Sequence, residues 1–424
     1  WVSVYILTHN ICVGSASMVS TLSINTRVSP APPQVRSTIQ SLQSSLVQWR
    51  RHLHQRPELG FEETLTADFI TQQLTQWGIE HQTGIAKTGI VATINGTRPG
   101  PVLAIRADMD ALPIQELNQV PYRSLHDGKM HACGHDGHVT IALGTAHYLA
   151  QHRETFAGTV KIIFQPAEEG PGGAKPMIEA GVLSQPEVDA VIGLHIWNNL
   201  PLGTVGVRSG PLMAATEYFH CTLQGRGGHG ALPHQTIDSI VVGAQVVNAL
   251  QTIVARNISP IDSAVVTLGE FHAGTAVNVI ADSARLSGTV RYFNPEYRDF
   301  LPERMEAIIA GVCQAHGASY QFDYHRLYPP VINDPTMAEL VRSVASSVIE
   351  TPAGVVPECQ TMGGEDMAFF LQEKPGCYFF LGSANPDLNL AYPHHHPRFD
   401  FDETVLSTGV EIFVRCVERF CTSE

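Results

Sequence analysis

Four short apolar runs set the tightest limit on how this chain can fold: Gly89 to Ile94, Val102 to Ala107, Thr159 to Phe164 and Val188 to Leu194. Each has the length of a strand, and helical stretches fall among them. That alternation predicts an α/β architecture with a mostly parallel sheet covered by helices. In such sheets ligands bind beyond the carboxyl ends of the strands. Asp108 follows VLAIRA, Glu168 and Glu169 follow KIIFQPA, and His195 ends VIGL, so three strand ends bring acid–base or metal-type side chains to one edge.

The flanks are helical. Ile39, Leu42, Leu46, Trp49 and Leu53 recur at helical spacing between Val35 and His54 and stop before Pro57, while Leu65, Phe69, Leu74 and Trp77 mark a second helix closed by Gly78. Between about Met213 and Arg326 the order changes to strand (Tyr218 to Leu223), helix (Thr236 to Ala255), strand (Ala264 to Phe271), strand (Ala284 to Tyr292), helix (Pro295 to His316) and strand (Ser319 to Tyr324). This β-α-β-β-α-β order is ferredoxin-like. None of its strand ends carries a carboxylate–histidine cluster, so it reads as a second α+β domain inserted into the first. With 424 residues, two domains are expected. The division is a poorly determined leader over 1–34, a metal-binding catalytic domain over 35–212 and 327–424, and an inserted domain over 213–326.

In the leader, the apolar stretch from Val2 to Val13 is interrupted by Thr8, His9 and Asn10 and lacks a basic start, so it does not read as an export signal, and Met18 is an alternative start. The prolines of Ser29 to Pro33 favour an extended segment. A net charge of −14 repels phosphate backbones and anionic lipid surfaces, which argues against nucleic acid and membrane partners. No later run reaches the ~18 apolar residues of a membrane span. The eight cysteines form no paired framework and no C-x-x-C motif, which fits a reducing compartment, the cytoplasm.

Four motifs carry chemistry. HACGHDGH, from His131 to His138, packs thiol, imidazole and carboxylate groups into one short loop, and thiolate and imidazole bind zinc and similar ions. In QPAEEG, adjacent Glu168 and Glu169 repel one another unless a cation lies close or one is protonated. A metal ligand beside a general base meets both conditions. GLHIW supplies His195, and PHHHPRF supplies His395 with His394 and His396 on either side. Each cluster alone has an ordinary structural explanation; their convergence on one sheet edge points to a metal site. Two metals suit hydrolysis, since a water held between them loses its proton near neutral pH.

From about Arg50 to Glu403 the chain resembles the di-metal amidohydrolases related to aminoacylase and to glutamate-releasing carboxypeptidases. It is most similar to the branch of hippurate hydrolases, N-acyl-L-amino-acid amidohydrolases and plant auxin–amino-acid conjugate hydrolases. The resemblance rests on RRHLHQRPELGFEE, RADMDALP, HACGHDGH, QPAEEG, GLHIW, GRGGHGALPH, AVNVIADSARLSGTVR, GGEDMAFF and HHPRFDFDE, in that order. It implies two divalent ions per subunit, zinc or manganese, with cobalt or nickel as alternatives. It makes Cys133 the ligand shared by both, His135 and His195 the rest of one site, and Glu169 and His395 the rest of the other. Glu168 becomes the general base, and Asp108 orients a ligand histidine. Arg106 stands where the aspartate-bridged branches have a metal-binding histidine.

The resemblance also gives the inserted domain the role of a lid and dimerisation domain, in a homodimer or homotetramer. His229 would polarise the scissile carbonyl, in its own or a partner subunit's site; Asn278 and Arg291 would hold the carboxylate of the amino-acid half. Gly363 and Gly364 would let backbone approach the substrate, and Glu365 and Asp366 read equally well as structural. The expected reaction is hydrolysis of N-acyl amino acids to a carboxylic acid and a free amino acid, with dipeptidase or carboxypeptidase activity as the alternative. Two readings of other classes stand beside it. In a cysteine hydrolase Cys133 would be the nucleophile and His135 its base, which leaves Glu169, His195 and His395 without a task. A non-catalytic binding protein predicts loss of a ligand or of the base, and every one is present.

Overall fold

The computed structural model describes residues 33–350 and 354–422, so the expectations about Val2 to Val13, Met18 and most of the 1–34 leader lie outside the described residues. The first expected helix is two consecutive ones, α1 (Pro33–Ser41) and α2 (Gln43–His54), followed by α3 (Thr64–Gln76). The chain continues through β1 (Glu80–Ile85), β2 (Gly89–Asn95), β3 (Val102–Asp108), α4 (His135–Gln151), β4 (Thr159–Gln165) and β5 (Ala190–Pro201).

These strands form an eight-stranded sheet in the order β1-β2-β4-β3-β5, then Gly376–Ala384, Val205–Gly206 and Val355–Val356. Its middle is parallel, from β4 through β3 and β5 to Gly376–Ala384. The β1–β2 side is antiparallel. The first of the four apolar runs therefore does not join a parallel ladder. Only residues 96–101 separate β2 from β3, too few for the crossover that two strands of one direction require.

β5 corrects a second expectation. His195 lies inside the strand rather than at its end, because Gly376–Ala384 pairs along it past Trp197 as far as Pro201. That partner strand is almost wholly buried and was not anticipated from the sequence. His195 still sits at the carboxyl edge of β3: Arg106 pairs with Gly193, which sets Asp108 level with His195.

Helices α2, α3 and α4 pack one apolar cluster against the sheet together with Pro335–Val348 and Val405–Phe420, and a second cluster on the opposite face includes Met177, Met367 and Phe370. α4 is the most enclosed helix, with nearly every side chain from His135 to Leu149 buried. It starts after Gly134, whose φ of 94° is a left-handed conformation that glycine adopts without a Cβ clash.

A second sheet has the order Ala264–Ala273, Ser283–Tyr292, Ala215–Gln224, Ser319–Tyr328, every neighbour antiparallel. Numbered along this segment, that is 2-3-1-4, the ferredoxin-like arrangement. Helices Ser239–Arg256 and Tyr297–His316 supply its own core, with Val242, Val246, Leu250, Met305 and Ile309 packed on Phe219, Leu223 and Val290. Ser239–Arg256 is long and apolar enough to cross a membrane by length and composition, although Gln245, Asn248 and Gln251 interrupt its apolar run. Its stripe of Val242, Val246, Leu250 and Ile253 is buried on the sheet instead.

Candidate metal centre

Four chain segments meet at the carboxyl edge of β3, β4 and β5. The turn before α4 brings Cys133 and the first residue of α4 is His135, the turn after β4 brings Glu168 and Glu169, β5 brings His195, and the loop after Gly376–Ala384 brings His395. Two of the few non-glycine residues with positive φ are Ala167 (55°) and His395 (64°), beside or within this group. Strained backbone of this kind persists where surroundings hold it. His395 N donates to Ala132 O at 2.8 Å, fastening the late loop to the HACGH turn.

The donor atoms fall into sets within 4.8 Å of one another: Cys133, His135 and His195 form one, and Cys133, Glu169 and His395 form another. Cys133 belongs to both. Its Sγ lies 3.5 Å from His195 Nε2, and Glu169 Oε1 lies 3.1 Å from His395 Nε2. Of the three adjacent histidines, His394 donates from Nε2 to Ile196 O at 2.9 Å and stacks on Trp197, while His396 accepts from Arg398 N and stacks on Tyr392. His395 alone of the three pairs with Glu169.

The donor set fits divalent ions. His135 Nε2 is buried without a hydrogen bond, a condition that costs about 1–3 kcal/mol unless a cation answers it. His195 Nδ1 donates to Ile196 O at 2.7 Å, which leaves the Nε2 lone pair facing Cys133. Burial, together with His138 and His394, holds His195 well below its ordinary value and hence neutral, the ligand form. Burial and the carboxylates of Glu169 and Glu168 push the Cys133 thiol up. Against burial, Asp108 and Asp110 draw His135 up to about 10. Its surroundings therefore favour positive charge, which a divalent cation supplies while taking the imidazole neutral and the thiol as thiolate.

The two glutamates differ. Burial raises Glu168 well above the usual carboxylate range, helped by Glu365, Glu169, Asp366 and Asp110. Glu169 is lowered because His395 and His135 outweigh its burial. One carboxyl group is thus suited to carry a proton and its neighbour to stay charged.

Asp108, expected to orient a ligand histidine, hydrogen-bonds His138 Nδ1 at 2.5 Å and remains 3.8 Å from His135 Nε2. The contact to His135 Nδ1 (3.3 Å) comes from Asp110, which also accepts from Glu168 N and Glu169 N, each at 3.0 Å. His138 Nε2 in turn accepts from Ile196 N at 2.8 Å, bracing the strand of His195. Asp110 and His138 were not singled out from the sequence. The available signals were the i, i+2 spacing of Asp108 and Asp110 and the one-turn spacing of His135 and His138.

Arg106 is fully buried and donates to Gln165 (2.8 Å), Asp108 (2.6 Å), Glu365 (2.9 Å) and Asp366 (2.7 Å). Asp366 is pushed up to about 7 by burial, with Glu365 offsetting the opposing pull of Arg106. A second buried network explains the outer motifs. Arg50 donates to Asp136 (2.8 Å), Asp400 (2.7 Å) and Glu403 (3.3 Å), and His54 Nδ1 lies 2.7 Å from Asp136. It joins α2 to the residue after His135 and to the loop that carries His395.

The remaining predicted residues lie in or against the second sheet, outside the donor sets. His229 is exposed in a two-stranded ribbon, Gly228–His229 against Val279–Ile280, and Gly230 N donates to Asn278 O at 2.8 Å, so His229 and Asn278 are brought together. Arg291 donates to Glu217 O and Val290 O, and burial lowers its pKa. Gly363 O accepts from Ala214 N. A Cβ on Gly364 would lie 1.8 Å from Thr216 Oγ1, so only glycine lets this loop approach the second sheet so closely.

The model of peptidase family M20/M25/M40 matches residues 104–419. An N-acyl-L-amino acid amidohydrolase of Geobacillus stearothermophilus is 44% identical over 330 residues, covering 76% of this chain and 89% of its own. Thermostable carboxypeptidase 2 of Saccharolobus solfataricus is 39% identical over 380 residues, 89% of this chain and 95% of its own. The crystal structure of the YxeP protein of Bacillus subtilis, described as a dinuclear metal binding peptidase of the M20 family, superposes with a TM-score of 0.79 at 38% identity, covering 90% of this chain and 99% of that one.

Proposed function

This chain belongs to peptidase family M20/M25/M40 and is a metal-dependent hydrolase of amide bonds, and as its reaction we propose cleavage of N-acyl amino acids into a carboxylic acid and a free amino acid. The observation that carries this reading is the pair of donor sets meeting at Cys133. In it, Cys133, His135 and His195 would hold one divalent ion, and Cys133, Glu169 and His395 would hold the second. Thiolate with imidazole and carboxylate favours zinc, with manganese next and cobalt or nickel as substitutes.

Two divalent ions held there would supply Lewis acidity to the scissile carbonyl and to a water. Glu168 is the general base: its carboxylate takes the proton of that water and passes it to the leaving amine nitrogen. Its raised pKa suits a group that must hold a proton between the two transfers. Asp110 positions the Glu168–Glu169 turn through both backbone N–H groups, and Asp108 acts through His138.

Residues 213–326 form the lid and dimerisation domain of this reading. Arg291 and Asn278 take the substrate carboxylate, Gly364 lets the backbone come close, and His229 polarises the carbonyl in its own or a partner subunit's site. The exposed apolar side chains Leu232, Ile240, Val241, Phe271, Val277 and Val279 support a second copy against this domain. The described cysteines are all free, which supports a cytoplasmic setting. Carboxypeptidase action on small peptides is the second reading, favoured by the Saccharolobus relative.

The test is a panel of N-acetyl-, N-benzoyl- and indoleacetyl-amino acids and dipeptides, assayed with zinc, manganese, cobalt and nickel. Glu168→Gln is expected to lower turnover about 10²–10⁴-fold at unchanged metal content. Turnover by that variant at the parent rate refutes the general base. Activity that survives metal stripping but is lost on alkylation of the metal-free protein would install the cysteine-hydrolase reading instead.

A further inference from the structure

A cavity of about 700 Å³ is lined by none of the donors given to the metal centre. It lies at the joint between the two sheets. Lys175 and Phe369 line it from the first domain, Glu217, Arg298 and Arg326 from the second, and Tyr328 lies between them. It backs onto the Glu168–Glu169 loop, whose Pro171 and Gly172 line it. Thr216 meets Gly364 on one face, and Glu217, its neighbour in the strand, points to the other. Tyr328 spans the two compartments, donating its hydroxyl to Glu168 O at 2.6 Å.

The charge of this cavity runs against that of the chain. In a protein of net charge −14, three cations surround it. Its one acid, Glu217, is already engaged by the hydroxyls of Tyr292 (2.8 Å) and Tyr324. Arg326 pairs with Asp299, whereas the side chains of Lys175 and Arg298 have no hydrogen-bond or ion-pair partner among the described residues. The helix Tyr297–His316 begins here, so its amino end adds partial positive charge. Prolines 171, 176, 329 and 330 with Leu327 and Phe369 make the rest of the wall apolar and stiff.

We propose that this cavity is a second ligand site, taking a small carboxylate with a flat apolar body, its carboxylate at Lys175 and Arg298 and its body against Phe369 and the prolines. The volume lies within the range of small-molecule sites. A ligand there touches both sides of the joint and rests on Tyr328, behind the Glu168 turn. The carboxylic acid released by the proposed reaction belongs to this class, so the site would sense product; that clause rests on the amidase reading, while binding itself does not.

Benzoate is the probe. Equilibrium dialysis of radiolabelled benzoate against the metal-loaded protein counts equivalents bound per chain, and the comparison is Lys175→Glu/Arg298→Glu, both surface positions, with circular dichroism as the fold control. The double variant is expected to lose one equivalent, its affinity there falling at least tenfold, and any benzoate bound at the metals is unaffected. Loss of that equivalent also removes a non-competitive component from benzoate inhibition of N-acyl amino acid turnover. Equal equivalents with affinities within twofold in parent and variant overturn the proposal. If dialysis shows the loss but no N-acyl amino acid is hydrolysed, the site stands and the amidase reading falls.

Discussion

Replacing Arg50 by Met tests whether the metal-bearing loops depend on a buried charge network. The Arg50 side chain is wholly buried, as is that of Asp136, and Asp400 is 4% exposed. Methionine fills most of the space but leaves two carboxylates in a low-dielectric site without their guanidinium. Breaking one buried pair costs about 3–5 kcal/mol. The two losses do not simply add, because Asp136 keeps His54 and Gly137 N, and Asp400 keeps Tyr122 and Phe401 N. We therefore expect a total near 3–5 kcal/mol. An unfolding entropy of about 2.1 cal/mol/K per residue gives roughly 0.6 kcal/mol/K for a unit of about 300 residues, so Tm falls by about 5–8 °C. Differential scanning calorimetry with chelator present reads this directly. Because Asp136 adjoins His135 and Asp400 lies on the loop of His395, metal affinity by competition with a chromogenic chelator should fall as well. The double variant R50M/D136N should recover part of both, as coupled sites do. A single variant melting within about 1 °C of the parent, with unchanged metal affinity, refutes the argument.

Three further outcomes are expected. Cys133→Asp should retain two metals by elemental analysis while Cys133→Ala loses at least one, since only the former keeps an anionic group able to serve both donor sets. Burial and Arg50 pull His54 down, but Asp136 and Glu116 outweigh them and hold it near 9. A histidine raised in the folded state contributes stability that is full below about pH 6.5 and is lost as pH rises through about 9; urea midpoints between pH 6 and 10 should fall less steeply in His54→Gln, and parallel profiles would count against it. Gly364→Ala places a methyl group 1.8 Å from Thr216 Oγ1, so KM should rise and Thr216→Gly should restore it; a KM unchanged by the first substitution removes the role given to that contact.

Much of this site is legible in the residue pattern alone. Apolar runs ending in Asp108 and Glu168–Glu169 identify strand ends because burial between helix layers is written locally in each run. The β-α-β-β-α-β pattern of the second sheet is equally local, and its strands and helices form close to their expected bounds. What the sequence left open was pairing. The antiparallel course of β2, the buried strand Gly376–Ala384 beside His195, the contact of Asp110 rather than Asp108 with His135, and the separation of His395 from His394 and His396 all depend on segments far apart in the chain. Side-chain pattern determines which residues become strand, helix or turn. Which donors face one another is decided only when the sheet order and the late loop over the HACGH turn bring them within reach, since distance, and not residue type, selects the sets that share Cys133.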